Sequence, residues 1–296
     1  LYLAPMLVAL IAVALWPLLR TFWFAFTNTS MTDIDGGTWI GFDNFLVRRE
    51  LSSGRVIWRG TLADPAWWSA VRVTFIFAFF SVVFSTILGT IVALVLNMRL
   101  PFQGWIRAAV LIPWAIPVVV SARIWDWMLN DQFGFINGIA LTIGLIENRI
   151  AWTVDPVLAM GSVILVEVWQ STPFVALLVL AGLQSVPRDM YEAARIDGVG
   201  PVKVFFRITL PLIWNALMVA VIFRMLNALR VFDVVYVMTG SMPATKTMSM
   251  IARENMIEFD RFAYGSAQST LLFFLIALCV VLVVQFGRVR LEGVER

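Results

Sequence analysis

Long apolar runs separated by short polar stretches make up most of this chain. Six of the runs reach the roughly 20 residues that an α-helix needs to cross the hydrocarbon core of a bilayer. The six runs cover residues 3–26, 67–96, 105–129, 156–183, 205–229 and 266–286. Apolar residues are continuous within each run and do not alternate with polar ones, which favours helices over the strands of a membrane barrel. The pattern predicts an all-α integral membrane protein with about six transmembrane helices.

The composition agrees with a chain that is solvated by lipid. Of the 296 residues, 60% are hydrophobic and 14% are charged, whereas a soluble domain has roughly 25% charged residues. The net charge of +3 would suit an acidic partner, but the basic residues stand singly or in pairs beside apolar runs. This placement is typical of the flanks of membrane helices, so we expect no binding of nucleic acid.

The residue types leave little room for catalysis. Histidine is absent and Cys279 is the single cysteine. The chain therefore lacks the commonest general base and metal ligand and has no intramolecular disulfide. It also lacks the glycine-rich pattern of a nucleotide-binding P-loop. We expect no catalytic residue, no metal site and no cofactor bound by this chain, so that energy for any transport has to come from another protein.

The charges of the connecting segments indicate an orientation. The segments with a positive net charge are 97–107, 187–208 and 287–296, at +2, +1 and +1. The alternating segments are 27–66, 130–155 and 230–265, at −1, −2 and 0. Because positive segments tend to stay in the cytoplasm, we expect both termini there and segment 27–66 outside, as an external loop.

Segment 187–200, between the fourth and fifth runs, has the signals of a short helix. Ser185 is a candidate N-cap and Pro187 suits the first turn. Gly198 suits the left-handed position after the last turn, and Pro201 can begin the following helix.

The surface of this short helix is suited to a protein partner. Ala193 and Ala194 add no bulk, so a groove of another protein can approach the backbone closely. Glu192 and Asp197 offer carboxylates to arginines of a partner. A helix that lies flat on the membrane is the alternative interpretation.

The order Glu192-Ala193-Ala194, then Asp197-Gly198, then Leu210-Pro211 resembles the Glu-Ala-Ala loop of permease subunits of binding-protein-dependent ABC importers. Within that family the chain is similar to the carbohydrate-uptake branch, in particular to F-type maltose permeases and mycobacterial trehalose importers. Stretches that carry this second likeness are Leu3-Ala4-Pro5, Gly41-Phe42-Asp43-Asn44-Phe45, Ile112-Pro113-Trp114 and Val231-Phe232-Asp233. The resemblance implies the ABC type I importer permease fold, as one permease domain over 1–296, with 187–200 as the cytoplasmic coupling helix.

The same resemblance implies partners and a location. The partners are a homologous second permease, two copies of a cytoplasmic ATPase that binds ATP and Mg²⁺, an extracytoplasmic sugar-binding protein or lipoprotein, and membrane lipid. The location is the plasma (inner) membrane of a bacterium or archaeon. The residues expected to couple to the ATPase are Glu192, Ala193, Ala194, Asp197, Gly198, Leu210 and Pro211.

Polar residues interrupt the fourth and fifth runs, where they are costly unless they face protein or water. In the fourth run, Pro173 leaves the carbonyl of Trp169 without its helical donor. In the fifth run, Asn227 and Arg230 are three residues apart and share a helix face. The candidates for a sugar pathway are Trp169, Gln170, Ser171, Phe174, Asn227 and Arg230. The alternative is that these groups join helices to one another.

Other charged residues in the runs are interpreted as structural. Arg123 and Asp126 are three apart and expected to pair, and Glu167 is expected to find a donor on another helix.

The expected substrate is a sugar, for example a disaccharide such as trehalose or maltose. Glycerol phosphate is the alternative substrate, with Arg224 and Arg230 as the residues that would bind its phosphate. An ion-coupled secondary transporter leaves the coupling-helix pattern unexplained, and an enzyme for lipid-linked sugars lacks clustered catalytic acids.

Overall fold

The structure is a computed structural model, and it describes residues 3–34, 36–50, 52–98 and 101–287. Arg99 and the charges of segment 288–296, which contributed to the predicted orientation, lie outside the described residues.

Helices account for most of the described chain. In chain order they are α1 (Ala4–Ala25), α2 (Pro65–Leu96), α3 (Gln103–Ala115), α4 (Val118–Met128), α5 (Phe135–Thr142), α6 (Pro156–Gln184), α7 (Arg188–Ile196), α8 (Pro201–Leu212), α9 (Trp214–Leu229), α10 (Asp233–Thr239), α11 (Met248–Arg253) and α12 (Phe262–Phe286). By length and composition, α1, α2, α6 and α12 can each cross a membrane. The count reaches six if each of two bent pairs, α3 with α4 and α8 with α9, is one span. These six correspond to the six predicted runs.

The two bent spans differ from the straight helices that continuous apolar runs predict. The α3–α4 pair bends by 89° and the α8–α9 pair by 73°. At the first bend Ile116 is extended, with a ψ of 133°, because the ring of the following Pro117 disfavours the helical conformation in the preceding residue. The second bend is at Ile213, two residues after Pro211.

Segment 27–66, which the charge pattern predicts to be an external loop, contains a small antiparallel hairpin. Its strands are β1 (Val47–Glu50) and β2 (Val56–Arg59), with Val47 opposite Arg59. The base of the hairpin is tight: at Gly60, where φ is +106°, an added Cβ would lie 2.7 Å from the carbonyl carbon of Phe45. A side chain at this position is therefore excluded both by space and by backbone conformation.

The described residues form two compact units. One combines segments 3–74 and 245–277, and its core includes Trp67 and Met248. The other combines segments 75–244 and 278–287 and has the larger buried cluster, formed by α2, α6 and α9. In the second unit α6 approaches α9 closely at Gly182, where an added Cβ would lie 2.6 Å from that of Ala216. That a single permease domain spans 1–296 stays a prediction.

Candidate functional site

A cavity of about 670 Å³ lies within the second unit, between the α3–α4 bend, α6, α9 and the start of α10. Five of the six residues predicted for a sugar pathway line it, and they are Gln170, Ser171, Phe174, Asn227 and Arg230. Residues that are distant in sequence are therefore brought to one space by the fold.

The sixth candidate, Trp169, is directed elsewhere. It lines a separate, apolar cavity and packs edge-on against Trp125, with ring centroids 5.5 Å apart. The reason is helical geometry, because successive residues of a helix point about 100° apart. Glu167, Gln170, Ser171 and Phe174 share the face of α6 that lines the first cavity, and Trp169 lies outside that face.

Aromatic rings lie beside these polar groups. Trp114 of α3 stacks on Phe174 of α6 at a centroid distance of 6.0 Å and an interplanar angle of 29°. Phe223 of α9 meets the same Phe174 ring edge-on at 6.4 Å. Trp114 belongs to a stretch that carries the family resemblance, but it was not predicted to line the pathway.

The α3–α4 bend supplies a hydrogen-bond acceptor to α6. Because Ile116 is extended, its carbonyl lies outside the regular helical ladder. This carbonyl accepts a 3.0 Å hydrogen bond from Nε2 of Gln170. Ser171 donates through Oγ to the carbonyl of Glu167 at 2.6 Å. Both side chains are thus oriented by backbone groups, which fixes the polar wall of the cavity.

A buried ion pair joins three helices beside this wall. Arg224 of α9 is 1% exposed, and its guanidinium lies 3.0 Å from a carboxylate oxygen of Glu167. Its Nε donates to Oγ of Ser85 at 3.2 Å, and its Nη2 donates to Oγ of Ser81. The expectation that Glu167 finds a donor on another helix is confirmed. The two serines were missed, although their spacing of four residues places them on one face of α2.

A further hydrogen bond and a further ion pair are formed by arginines of this unit. The Arg230 guanidinium donates to Oδ1 of Asn227 at 2.9 Å, and both side chains are exposed at the end of α9. Arg123 and Asp126 lie 3.6 Å apart on α4, as predicted. Arg123 is well exposed, so this pair contributes little to stability.

The segment between the fourth and fifth spans is a short helix, as predicted, and its C-terminal end follows the predicted signals. The N–H of Gly198 bonds to the carbonyl of Arg195 at 3.1 Å, and that of Val199 to Ala194 at 3.0 Å. Gly198 has a φ of +67°. These two bonds and the left-handed glycine form a Schellman motif, and Pro201 then begins α8.

The predicted N-cap of α7 is wrong. Ser185 instead ends α6, where its Oγ donates to the carbonyl of Ala181 at 3.2 Å. The α6 helix extends one residue beyond the predicted run, to Gln184, so Ser185 belongs to the C-terminal turn of that helix. Pro187 occupies the N-cap position of α7, without a side-chain hydrogen bond.

The predicted ATPase-coupling residues differ from one another in solvent exposure. Glu192, Ala193, Asp197 and Gly198 are exposed. Ala194 is buried at 4% exposure, so one of the two alanines faces the chain's own core. In α8, Leu210 packs on the core cluster, whereas Pro211 is exposed.

Tyr191 fixes α7 to the rest of the unit. Its ring packs on the core cluster, and its hydroxyl lies 3.2 Å from Oγ1 of Thr209 in α8. We expect Tyr191→Phe to keep the packing and to lose about 1 kcal/mol of local stability, the usual net value of one hydrogen bond. Hydrogen exchange of the α7 amides should then be about fivefold faster. Thr209→Val should have the same effect, and the double variant should add little; independent effects of the two would contradict the bond.

The fold and the site therefore define a multi-pass membrane protein with a polar and aromatic cavity and an exposed short helix between its fourth and fifth spans. Residues 85–291 match the family described as "Binding-protein-dependent transport system inner membrane component". This match covers more than half of the 296 residues, and the chain belongs to that family.

Curated relatives match over nearly the full length. The chain is 39% identical over 288 residues to the trehalose/maltose transport system permease protein MalF of Thermococcus litoralis, covering 97% of this chain and 92% of the relative. It is 33% identical to the sulfoquinovosyl glycerol transport system permease protein SmoG of Agrobacterium fabrum, covering 96% and 87%. It is 31% identical to the trehalose transport system permease protein SugA of Mycobacterium tuberculosis, with the same coverage.

A solved structure has the same fold. The fold matches a bacterial ABC transporter involved in the import of the acidic polysaccharide alginate, with a TM-score of 0.80 and 20% identity. The match covers 98% of this chain and 95% of the other. The ABC importer permease fold expected from the sequence is thus confirmed.

Proposed function

We propose that this chain is a permease subunit of an ABC importer for a sugar, such as trehalose, maltose or a similar disaccharide. It forms half of a translocation pathway, catalyses no reaction and binds no cofactor. The observation that carries this proposal is the 670 Å³ cavity in which five predicted pathway residues meet. Small-molecule sites have volumes of about 300–1,000 Å³.

The chemistry of the cavity suits a sugar. The Trp114 and Phe174 rings offer an apolar surface for the C–H face of a pyranose. Gln170, Ser171 and Asn227 offer polar groups for its hydroxyls. The names of MalF and SugA support the same substrate class.

In this proposal α7 transmits movement between the chain and a cytoplasmic ATPase. Its exposed residues include Glu192 and Asp197, which suit arginines of a partner, and Ile196, which suits an apolar groove. Tyr191 and the buried Ala194 attach the helix to the core of the second unit. Displacement of α7 by ATP-driven closure of the ATPase would therefore bias the permease between two states, with the cavity open outward or inward.

The proposed assembly has further components. A homologous permease completes the pathway, two copies of the ATPase bind ATP and Mg²⁺, and an extracytoplasmic sugar-binding protein or lipoprotein delivers the solute. The chain crosses the plasma (inner) membrane of a bacterium or archaeon with α7 and both termini in the cytoplasm. Pairing of Glu167 with Arg224 counts against Glu167 as the carboxylate of an ion-coupled transporter.

The proposal is tested by co-purification with the ATPase and by uptake of a sugar panel in whole cells. We expect Glu192→Lys to lower both ATPase association and uptake by at least about tenfold, because an exposed acceptor becomes a repelling cation in the interface. The matched control is Glu147→Lys, in segment 130–155 on the predicted external side. It should leave both measurements unchanged.

Association that persists in a folded Glu192→Lys variant would contradict the coupling role of α7. Uptake of no sugar from the panel, together with import of another solute, would contradict the sugar pathway while leaving the coupling role intact.

A further inference from the structure

We infer that the α6 wall of the cavity selects an uncharged, hydroxyl-rich solute over an anionic one, and that Glu167 is the residue that sets this selection. The inference rests on the proposed sugar pathway and adds which charge of solute that pathway accepts. The fold leaves this charge open, because the alginate transporter of the same fold takes part in the import of an acidic polysaccharide.

The first observation is an unpartnered acceptor. Gln170 is 6% exposed, and its Oε1 has no hydrogen-bond partner among the described residues. The identity of this atom is fixed by its neighbour, because the carbonyl of Ile116 only accepts and therefore takes the Nε2 donor. A buried acceptor without a donor costs free energy. A solute hydroxyl in the cavity would remove that cost.

Neighbouring groups on the same face are also acceptors. Ser171 commits its hydroxyl proton to the carbonyl of Glu167 at 2.6 Å, which leaves the oxygen lone pairs. One carboxylate oxygen of Glu167 binds Arg224, and the side chain remains 15% exposed where it lines the cavity. Gln170, Ser171 and Glu167 thus present acceptors to the solute, and hydroxyl groups are the matching donors.

The second observation is that Arg224, the cation beside the α6 wall, is paired, and that the lining residues together carry no net formal charge. Arg224 is held by Glu167, Ser81 and Ser85. Arg230 donates to Asn227, and Asp233 lines the same cavity. The formal charges of the lining residues therefore cancel. An ionised phosphate, sulfonate or carboxylate is an acceptor only, so at the α6 wall it meets other acceptors and a cation, Arg224, that is already paired.

Glu167 determines the net charge at the α6 wall because its carboxylate neutralises the guanidinium of Arg224 beside it. Removing this carboxylate leaves Arg224 as an unpaired cation at the cavity. The unpaired guanidinium attracts an anionic group of the solute, and this attraction is stronger at the lower effective dielectric constant near a protein surface than in water. The change therefore moves the preference of the site from neutral toward anionic solutes.

The test measures equilibrium binding to the assembled transporter in lipid nanodiscs, without the external binding protein, whose own selectivity would otherwise intervene. The probes are radiolabelled maltose and trehalose, each compared with an anionic sugar of similar size, maltobionate and trehalose 6-phosphate. The unaltered transporter should bind the neutral member of a pair at least about tenfold more tightly. In Glu167→Gln the ratio should move toward the anion by at least about tenfold.

Two further variants keep the test decisive. Glu254→Gln removes a carboxylate that pairs with Lys246 at 2.8 Å in the first unit, and it should leave the ratio unchanged. If Glu167→Gln does not fold, Glu167→Gln with Arg224→Gln removes both charges, and it should keep the preference for the neutral sugar.

The outcomes separate this inference from the proposed function. Tighter binding of the anionic sugar to the unaltered transporter, or an unchanged ratio in folded Glu167→Gln, would overturn the selection and leave the sugar pathway in place. Binding of neither sugar type, with import of a non-sugar solute, would overturn the proposed function itself.

Discussion

Arg224→Met is expected to lower the free energy of unfolding by about 3 kcal/mol, the low end of the 3–5 kcal/mol found when one partner of a buried ion pair is removed. Methionine preserves much of the volume of the 1%-exposed arginine but leaves Glu167, Ser81 and Ser85 without their donor. The low end applies because Glu167 is 15% exposed at the cavity and retains some hydration. Hydrogen bonds between membrane helices average only about 0.6 kcal/mol, so the uncompensated carboxylate dominates the effect.

The measurement is equilibrium unfolding of the purified chain in mixed micelles with increasing denaturing detergent. Its control is the double variant Glu167→Gln with Arg224→Met, which should be clearly more stable than Arg224→Met alone because no buried charge is left unpaired. Equal destabilisation of the single and double variants would contradict the unpaired carboxylate of Glu167 as the main cost of Arg224→Met.

The apolar helices of this protein could be predicted from the sequence because lipid demands long apolar helices, and the six runs correspond to the four long helices and the two bent helix pairs of the structure. The bends could not be predicted from hydropathy. Ile112-Pro113-Trp114-Ala115-Ile116-Pro117 is as apolar as the helices on either side of it. The 89° bend at Ile116–Pro117 depends on backbone conformation, for which hydropathy has no signal. The proline itself was the available indication.

The cavity could be predicted in part for a similar reason. Polar residues in apolar runs were correctly expected to need partners, and Gln170, Ser171, Asn227 and Arg230 meet in one space. Which cavity a residue of α6 lines depends on its position around the helix. Trp169, adjacent to Gln170 in sequence, points to another cavity. Contacts such as Arg224 with Ser81 and Ser85 join residues about 140 positions apart, and a single sequence holds no record of such pairings.

The end of α7, the proposed coupling helix, gives a second prediction with a large effect. We expect Gly198→Val to destabilise the C-terminal turn of α7 by about 2 kcal/mol and to reduce sugar uptake at least tenfold. Gly198 has a φ of +67°, and an added Cβ would meet nothing within 4 Å. The cost is therefore one of backbone conformation, because a β-branched residue strongly disfavours the left-handed region. Loss of this conformation would break the bonds from Gly198 and Val199 that end the helix.

Gly200 provides the matched control. It lies two residues further along, an added Cβ there also meets nothing within 4 Å, and its φ of −66° is ordinary for any residue. Gly200→Val should leave uptake and hydrogen exchange of α7 near those of the unaltered protein. Gly198→Asn should retain much of the uptake, because asparagine tolerates the left-handed region better than valine. If Gly198→Val and Gly200→Val reduced uptake equally, the added bulk would be responsible and the left-handed turn would have no special part in coupling.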